Sequence, residues 1–334
     1  MDAAVYHRQK CGRGFTYKDA RGRTVKGKAL RERFRALVIP PAWSEVEISA
    51  DPEAKVLATG RDDAGRKQYI YHPRFREQKE GEKFDRIIDF AQRLETMRRV
   101  TGQHLRRRKL TREKVLACMV RLLDLAYFRP GSPRYAREND SYGLTTMRSR
   151  HLTIDGDELI FSYRGKSGVE HERHVEDKRL AKVVAELDEL PGYEIFKYLD
   201  EDGTRVPVSS QELNTYIREV MGEEFSAKDF RTWAGTLIAA VSLDELGLSD
   251  DPKAADKRVR EAVEKVARKL GNTPTVARAS YIDPRVIDHY LDGRTTSYFQ
   301  KQVERELKKG PDLSLDEIGL LYLLRERLGE KKAS

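Results

Sequence analysis

Cysteine is nearly absent from this chain: two in 334 residues, Cys11 and Cys118, far apart in sequence. That pair supports no disulfide framework, and a reducing compartment is the expectation. No apolar run approaches the roughly 20 residues of a membrane span, and the N-terminus carries no secretory apolar core. A cytoplasmic protein that leaves membranes alone is therefore expected. Cysteines and carboxylates do not cluster at metal-ligand spacing. His171 and His174 share a strand-like stretch without companions, so no metal site is expected. Internal repeats and low-complexity segments are missing as well.

Charge is plentiful. Charged residues make up 36% of the chain, the net charge is +9, the isoelectric point is about 9.3 and the mean hydropathy is −0.70. The excess is uneven: residues 1–80 carry 18 Lys and Arg against 11 Asp and Glu, a balance of +7, which leaves +2 for the rest. A basic first quarter suits a module that touches a polyanion, although a bland basic surface has the same signature.

The hydrophobic pattern divides the chain near residues 78–83 into an N-terminal β-rich domain, 1–80, and a mostly helical domain, 81–334. In the first, residues 13–26 alternate around Asp19-Ala20-Arg21-Gly22 as a hairpin would. Ile39-Pro40-Pro41-Ala42-Trp43 reads as an extended connector. Segments 55–59 and 67–71 read as strands paired around Asp62-Asp63-Ala64-Gly65. Helical spacing begins near Lys83, with Phe84, Ile87, Ile88, Ala91 and Leu94, and resumes after Thr111. Strand-like segments follow at 143–147, 150–154, 158–163 and 169–175. Ser209 to Glu212 reads as a capping box, and Ser226 with Asp229 as another helix start. A charged amphipathic helix covers 253–270, and Leu315 to Leu324 reads as a last amphipathic helix. The fold class expected is α+β: a small antiparallel sheet domain, then a larger helical one holding a small sheet.

Several residues can carry chemistry, each with a plainer alternative. Tyr281 is a candidate nucleophile; a phenol with a pKa of about 10 needs activation. It is also one of 15 tyrosines that can simply pack on a helix. Arg231 lies in the first turns of a helix, where its planar fork suits two phosphate oxygens; a surface ion pair is the alternative. Lys228, three residues before, can equally be a solvated lysine. Arg129 follows an apolar helix and can equally cap its dipole. Lys166 sits in a Gly-Lys-Ser-Gly turn and can reach out as a charge or a proton donor. That turn is not a phosphate-binding P-loop: position 160 is Ile, and no helix is expected after it. In the first domain Arg66, Lys67, Gln68, Tyr69 and Tyr71 alternate cation, amide and phenol, suited to a base edge, sugar or phosphate.

In order, Gly65-Arg66-Lys67-Gln68-Tyr69, Arg129 followed by Tyr135-Ala136-Arg137-Glu138-Asn139, Gly165-Lys166, Lys228-Asp229-Phe230-Arg231-Thr232, and Gly271-Asn272-Thr273-Pro274 with Tyr281 resemble the type IB DNA topoisomerases. The likeness is to the small poxvirus-like enzymes found in bacteria, and covers about residues 18–281. The resemblance implies supercoil relaxation, positive or negative, through transient single-strand cleavage and a 3′-phosphotyrosyl intermediate. ATP, metals and other cofactors are not needed. It implies Tyr281 as nucleophile, Arg129, Arg231 and Asn272 on the scissile phosphate, Lys166 as proton donor to the leaving 5′ oxygen, and Lys228 as a further basic residue. Asn272 stands where many relatives have histidine. The implied partner is double-stranded DNA, gripped by a monomeric clamp through Arg66, Lys67, Gln68, Tyr69, Tyr71, Arg134 and Tyr135, at the nucleoid. A tyrosine recombinase or a non-catalytic DNA clamp on the same scaffold are the alternatives. The sheet-like first eighty residues and the complete catalytic set speak against them.

Overall fold

A computed structural model describes residues 5–326 apart from 13 and 64, with the backbone alone at 76–83. The chain divides into two compact units, Met1–Lys83 and Phe84–Ser334.

The first unit is an antiparallel sheet of β1 (Val5–Cys11), β2 (Gly14–Lys18), β3 (Ser44–Ser49), β4 (Val56–Arg61) and β5 (Lys67–Tyr71), in the order β2-β1-β3-β4-β5. Alternation decides its faces. On β3, Val46 and Ile48 are buried while Glu45 and Glu47 are exposed. Helix α1 (Lys28–Ala36) drives Phe34 into the sheet, its ring 5.0 Å from Tyr6 and 4.9 Å from Tyr17. The expected 13–26 hairpin is only partly present. Its turn forms, with Gly22 donating to Asp19 O, but a single bridge, Lys18 to Thr24, follows it. The Asp19 carboxylate holds the Arg21 and Arg23 amides, and β2 takes β1 as its partner instead. Nor is 39–43 extended. Trp43 N donates to Pro40 O, and the Arg8 guanidinium ties Ile39, Pro40 and Trp43 carbonyls together.

Helix α2 (Pro73–Leu105) starts ten residues before the apolar spacing does, on a proline that suits a first helical turn. In the second unit α3 (Arg112–Ala126), capped by Thr111, is buried almost all round, as befits a central helix. A short helix α4 (Pro133–Asn139) follows. The strand expected at 143–147 is a 3-10 turn, Leu144–Thr146. A Cβ on Gly143 would lie 2.6 Å from Gly131 and 2.7 Å from Arg129 O, so the chain turns where two backbones touch. Strands β6 (Leu152–Asp155), β7 (Glu158–Arg164) and β8 (Glu170–Glu176) form the small antiparallel sheet. Then come α5 (Lys178–Asp188), the pair β9 (Lys197–Leu199) and β10 (Arg205–Pro207), α6 (Ser210–Met221), α7 (Ala227–Leu246), α8 (Pro252–Leu270), α9 (Pro274–Tyr281), α10 (Pro284–Leu291), α11 (Gln300–Leu307) and α12 (Leu315–Arg325). The reciprocal capping box forms at Ser226 and Asp229. Ser209 caps α6, but Glu212 turns to Arg112 and Tyr198 instead of closing a box.

Helix α12 is buried more completely than the amphipathic pattern of its sequence suggests. Ile318, Gly319, Leu320, Leu321, Leu323 and Leu324 are buried around nearly its whole girth. Glu317 is buried with them, bound by Arg98 at 2.7 Å, and Arg98 also holds Asp124. Among the described residues no helix is long and apolar enough to cross a membrane.

Candidate active site

The ends of α3 and α8 lie where unpaired carbonyls collect. Helix α3 closes on Tyr127 in the left-handed conformation, and α8 closes on Gly271 likewise. Arg231, one turn into α7, spans both ends: it donates to Tyr127 O at 2.6 Å and to Leu270 O at 2.8 Å. The side chain is 3% exposed, an arginine held inside by two helix C-termini. Arg129, just beyond α3, donates to Gly271 O at 3.1 Å and to the Asn272 side-chain oxygen at 2.5 Å. Arg173 on β8 donates to Lys269 O at the same end of α8. Three arginines thus converge on four residues, Lys269 to Asn272.

Tyr281 is the last residue of α9, and its half-buried ring lies 5.1 Å from the Arg231 guanidinium carbon. Helix α7 fixes its place. A Cβ on Gly235 would lie 2.5 Å from Tyr281 O and 2.9 Å from Tyr281 Cβ. The Thr236 hydroxyl donates to Tyr281 O at 3.3 Å and accepts from Asp283 N at 3.1 Å. Arg231 and Gly235, four apart, share one helix face, so guanidinium and tyrosine backbone are set by one rigid element. Burial raises the Tyr281 pKa; the charge and hydrogen bond of Arg231, then the charges of Arg129 and Lys228, outweigh it and leave the phenol more acidic than usual. Arg231 is shifted down, first by burial and then by repulsion from Arg129. Arg129 moves the same way, with burial again the main cause.

The donors here are not all used. Arg231 Nε, Asn272 Nδ2, His171 Nε2 and Arg173 Nε are buried without a hydrogen-bond partner. Buried polar atoms are normally paired, because leaving one unpaired costs about 1–3 kcal/mol. Asn272 turns its oxygen to Arg129, which leaves the amide nitrogen to donate elsewhere. Arg173 donates to His171 Nδ1, so the ring hydrogen sits on Nε2. Of these, Arg231 Nε and Asn272 Nδ2 lie beside cations and an acidified phenol and suit a tetrahedral oxyanion, whereas His171 Nε2 is closed in by Gly165 and Gly271.

Lys166 is exposed at the tip of the turn between β7 and β8. It joins the group indirectly: Gly165 and Gly271 both press on the His171 ring. Lys228 is exposed in the first turn of α7. On α4, Arg134 is exposed and pairs with Glu138 at 2.9 Å, and Tyr135 is half-buried. In the first unit, Lys67, Tyr69 and Tyr71 lie on the exposed face of β5, where the two phenol rings stack 5.8 Å apart. Asp62 ties down the residues between, holding Arg66 Nε at 2.6 Å and Gln68 Nε2 at 2.8 Å. The structure therefore joins Arg129, Arg231, Asn272 and Tyr281 directly, and Lys166 through His171. Sequence reading missed Arg173, Gly235 and Thr236, and weighed His171 only as a metal ligand. A glycine four residues after Arg231, inside a helix, was the one local signal.

Two families of sequence match the chain. The model described as the catalytic core of eukaryotic DNA topoisomerase I matches residues 72–309. The model described as the N-terminal domain of bacterial DNA topoisomerase IB matches residues 14–62. Among curated proteins, DNA topoisomerase 1B of Acanthamoeba polyphaga mimivirus is 31% identical over 266 residues, 78% of this chain and 79% of that protein. DNA topoisomerase 1B of vaccinia virus, strain Copenhagen, is 24% identical over 245 residues, 71% of this chain and 73% of that one.

Proposed function

This chain belongs to the type IB DNA topoisomerase family, and we propose that it relaxes positive and negative supercoils by cutting and resealing one strand through Tyr281. The observation that carries this reading is the set of unpartnered donors around an acidified phenol. The Tyr281 phenolate attacks phosphorus in line as the bond to the 5′ oxygen breaks, leaving a 3′-phosphotyrosyl link. Arg129, Arg231 and Asn272 hold the phosphoryl oxygens as negative charge grows; one such donor is typically worth about 10²–10³ in rate. Lys166 gives its proton to the departing 5′ oxygen. Lys228 adds positive charge beside the phenol. Resealing reverses these steps, and because the phosphotyrosyl bond conserves the backbone's free energy, neither ATP nor a metal ion enters our scheme.

The exposed Lys67, Tyr69 and Tyr71 row, with Arg66 and Gln68 anchored by Asp62, supports reading residues 1–80 as a duplex-binding module. Arg134 and Tyr135 are read as further DNA contacts. In this scheme a monomer closes on double-stranded DNA as a clamp, at the nucleoid of the cytoplasm. The test is relaxation of a supercoiled plasmid with chelator and without nucleotide. Relaxation by the parent and none by Tyr281→Phe, with DNA affinity intact, is the expected result. Relaxation by Tyr281→Phe refutes the scheme.

A further inference from the structure

The scheme above gives His171 no task, yet the ring is gripped on every side. It is 8% exposed. It stacks on Tyr163 with centroids 5.1 Å apart, and Tyr163 stacks in turn on Phe128 at 5.7 Å. Its Nδ1 accepts from Arg173, which is itself fastened to Lys269 O. Two glycines close the remaining edge. A Cβ on Gly165 would lie 2.5 Å from the ring Cδ2 and 2.7 Å from Nε2. A Cβ on Gly271 would lie 2.0 Å from Cε1 and 2.8 Å from Nε2. The imidazole therefore fills the gap between the residue before Lys166 and the residue before Asn272.

We propose that His171 is a positioning residue for Lys166: its ring is the spacer that sets the Gly165–Gly168 turn against the end of α8, so that the lysine ammonium reaches the phosphate held by Asn272. The inference rests on the reading of Lys166 as the proton donor. Lysine is long and flexible, and on an exposed turn it has many rotamers. What a short turn can fix is the place from which the side chain starts, and a flat, close-packed ring on a stiff strand does so. The ring also brings no charge. Burial first, then Arg173, Arg129 and Arg231, press its pKa down to about 4, so at neutral pH it adds no cation against the Lys166 ammonium. Its neighbours leave no space for a substitute spacer, since both facing positions are glycine. Gly165 is not glycine for its backbone angles, φ −98° and ψ −164°, which any residue adopts. Its lack of a Cβ serves the ring contact.

The test measures single-turnover cleavage of two duplexes that differ only at the scissile leaving atom, a 5′ oxygen or a 5′ sulfur. The sulfur leaves without a proton, so a defect in Lys166 delivery is hidden on it. His171→Ala removes the spacer, and Gly165→Ala forces the turn and the ring apart. Both are expected to slow cleavage of the oxygen duplex by about 10-fold or more, a part of the usual general-acid contribution, and to stay within about 3-fold of the parent on the sulfur duplex. Lys166→Ala is the control and should show the same pattern. Melting curves and duplex affinity check that each variant folds, and Gly165→Ala stands in if His171→Ala does not. Equal slowing of both duplexes by the His171 and Gly165 variants, with Lys166→Ala still rescued, overturns this inference and spares the acid. Failure of the sulfur duplex to rescue Lys166→Ala overturns both.

Discussion

Gly235→Ala isolates the placement of the nucleophile from the stability of the fold. Within a helix, alanine in place of glycine is ordinarily worth up to about 1 kcal/mol. Here the new methyl would lie 2.5 Å from Tyr281 O, 2.9 Å from Tyr281 Cβ and 3.1 Å from Tyr281 C. Carbon contacts settle near 3.5–4.0 Å, so the end of α9 must retreat by roughly 0.5–1 Å. None of the three atoms is the tip of a flexible side chain that can swing away. Overpacking of this kind costs about 1–3 kcal/mol, partly offset by the helix preference, so the net loss of stability should be about 0–2 kcal/mol. The catalytic loss should be far larger, because a displacement of about 1 Å at a reacting atom costs on the order of 10²-fold. Gly102→Ala is the matched control. It also lies within a helix, but a Cβ there meets nothing within 4 Å; it should keep full activity and gain a little stability. The assay is single-turnover formation of the covalent protein–DNA adduct, run beside thermal melting and duplex affinity. A Gly235→Ala rate within about 3-fold of the parent would refute the claim that α7 sets the position of Tyr281.

Because Arg231 is the chief cause of the acidified Tyr281, Arg231→Ala should shift the pH–rate profile for cleavage to higher pH as well as lowering its plateau, and an unmoved profile would remove Arg231 from that role. His171 and His151 each sit near a pKa of about 4 through burial first and neighbouring arginines second. The unfolded chain, with histidines near 6.5, binds the protons first, so the stability these two rings contribute should fall as pH drops from about 6.5 to about 4 and change no further below. Chemical denaturation along that range reads it, and a flat stability from pH 7 to 4.5 would contradict it. Glu317→Ala leaves Arg98 with Asp124 as its only carboxylate and takes the acceptor from Trp233 Nε1 at 3.4 Å; a loss of about 1.5–3 kcal/mol is expected in denaturant melts, and less than about 0.5 kcal/mol would show the buried pair to be idle. Asp62→Ala releases Arg66 and Gln68 and should weaken duplex binding while leaving the cleavage rate of bound DNA unchanged; unaltered affinity would count against the β5 surface as a DNA contact.

Much of the architecture is legible in the sequence because local signals and burial agree. Alternation gives β5 its faces, and Ser226 with Asp229 announces α7 through the reciprocal cap that forms there. The expectation failed where distant contacts decide. Residues 144–146 look like strand, but Gly131 presses on Gly143 from across the loop and turns the chain. Leu315 to Leu324 looks amphipathic because Glu317 reads as a polar face, whereas Arg98, 219 residues away in sequence, takes that charge inside. Candidate residues behaved alike. Arg129, Arg231, Asn272 and Tyr281 stand in motifs that can be read in order. His171, Arg173 and Gly235 have no local pattern, since their importance comes from what β8 and α7 are packed against.

The most direct test is to stop the parent protein on nicked or supercoiled duplex with detergent, digest it, and map the DNA-linked peptide by mass spectrometry. The account predicts one adduct, on the peptide ending α9, with the Tyr281 oxygen joined to a 3′ phosphate and a free 5′ hydroxyl on the broken strand. An adduct on another residue, a link to the 5′ phosphate, or relaxation with no covalent intermediate at all would contradict it.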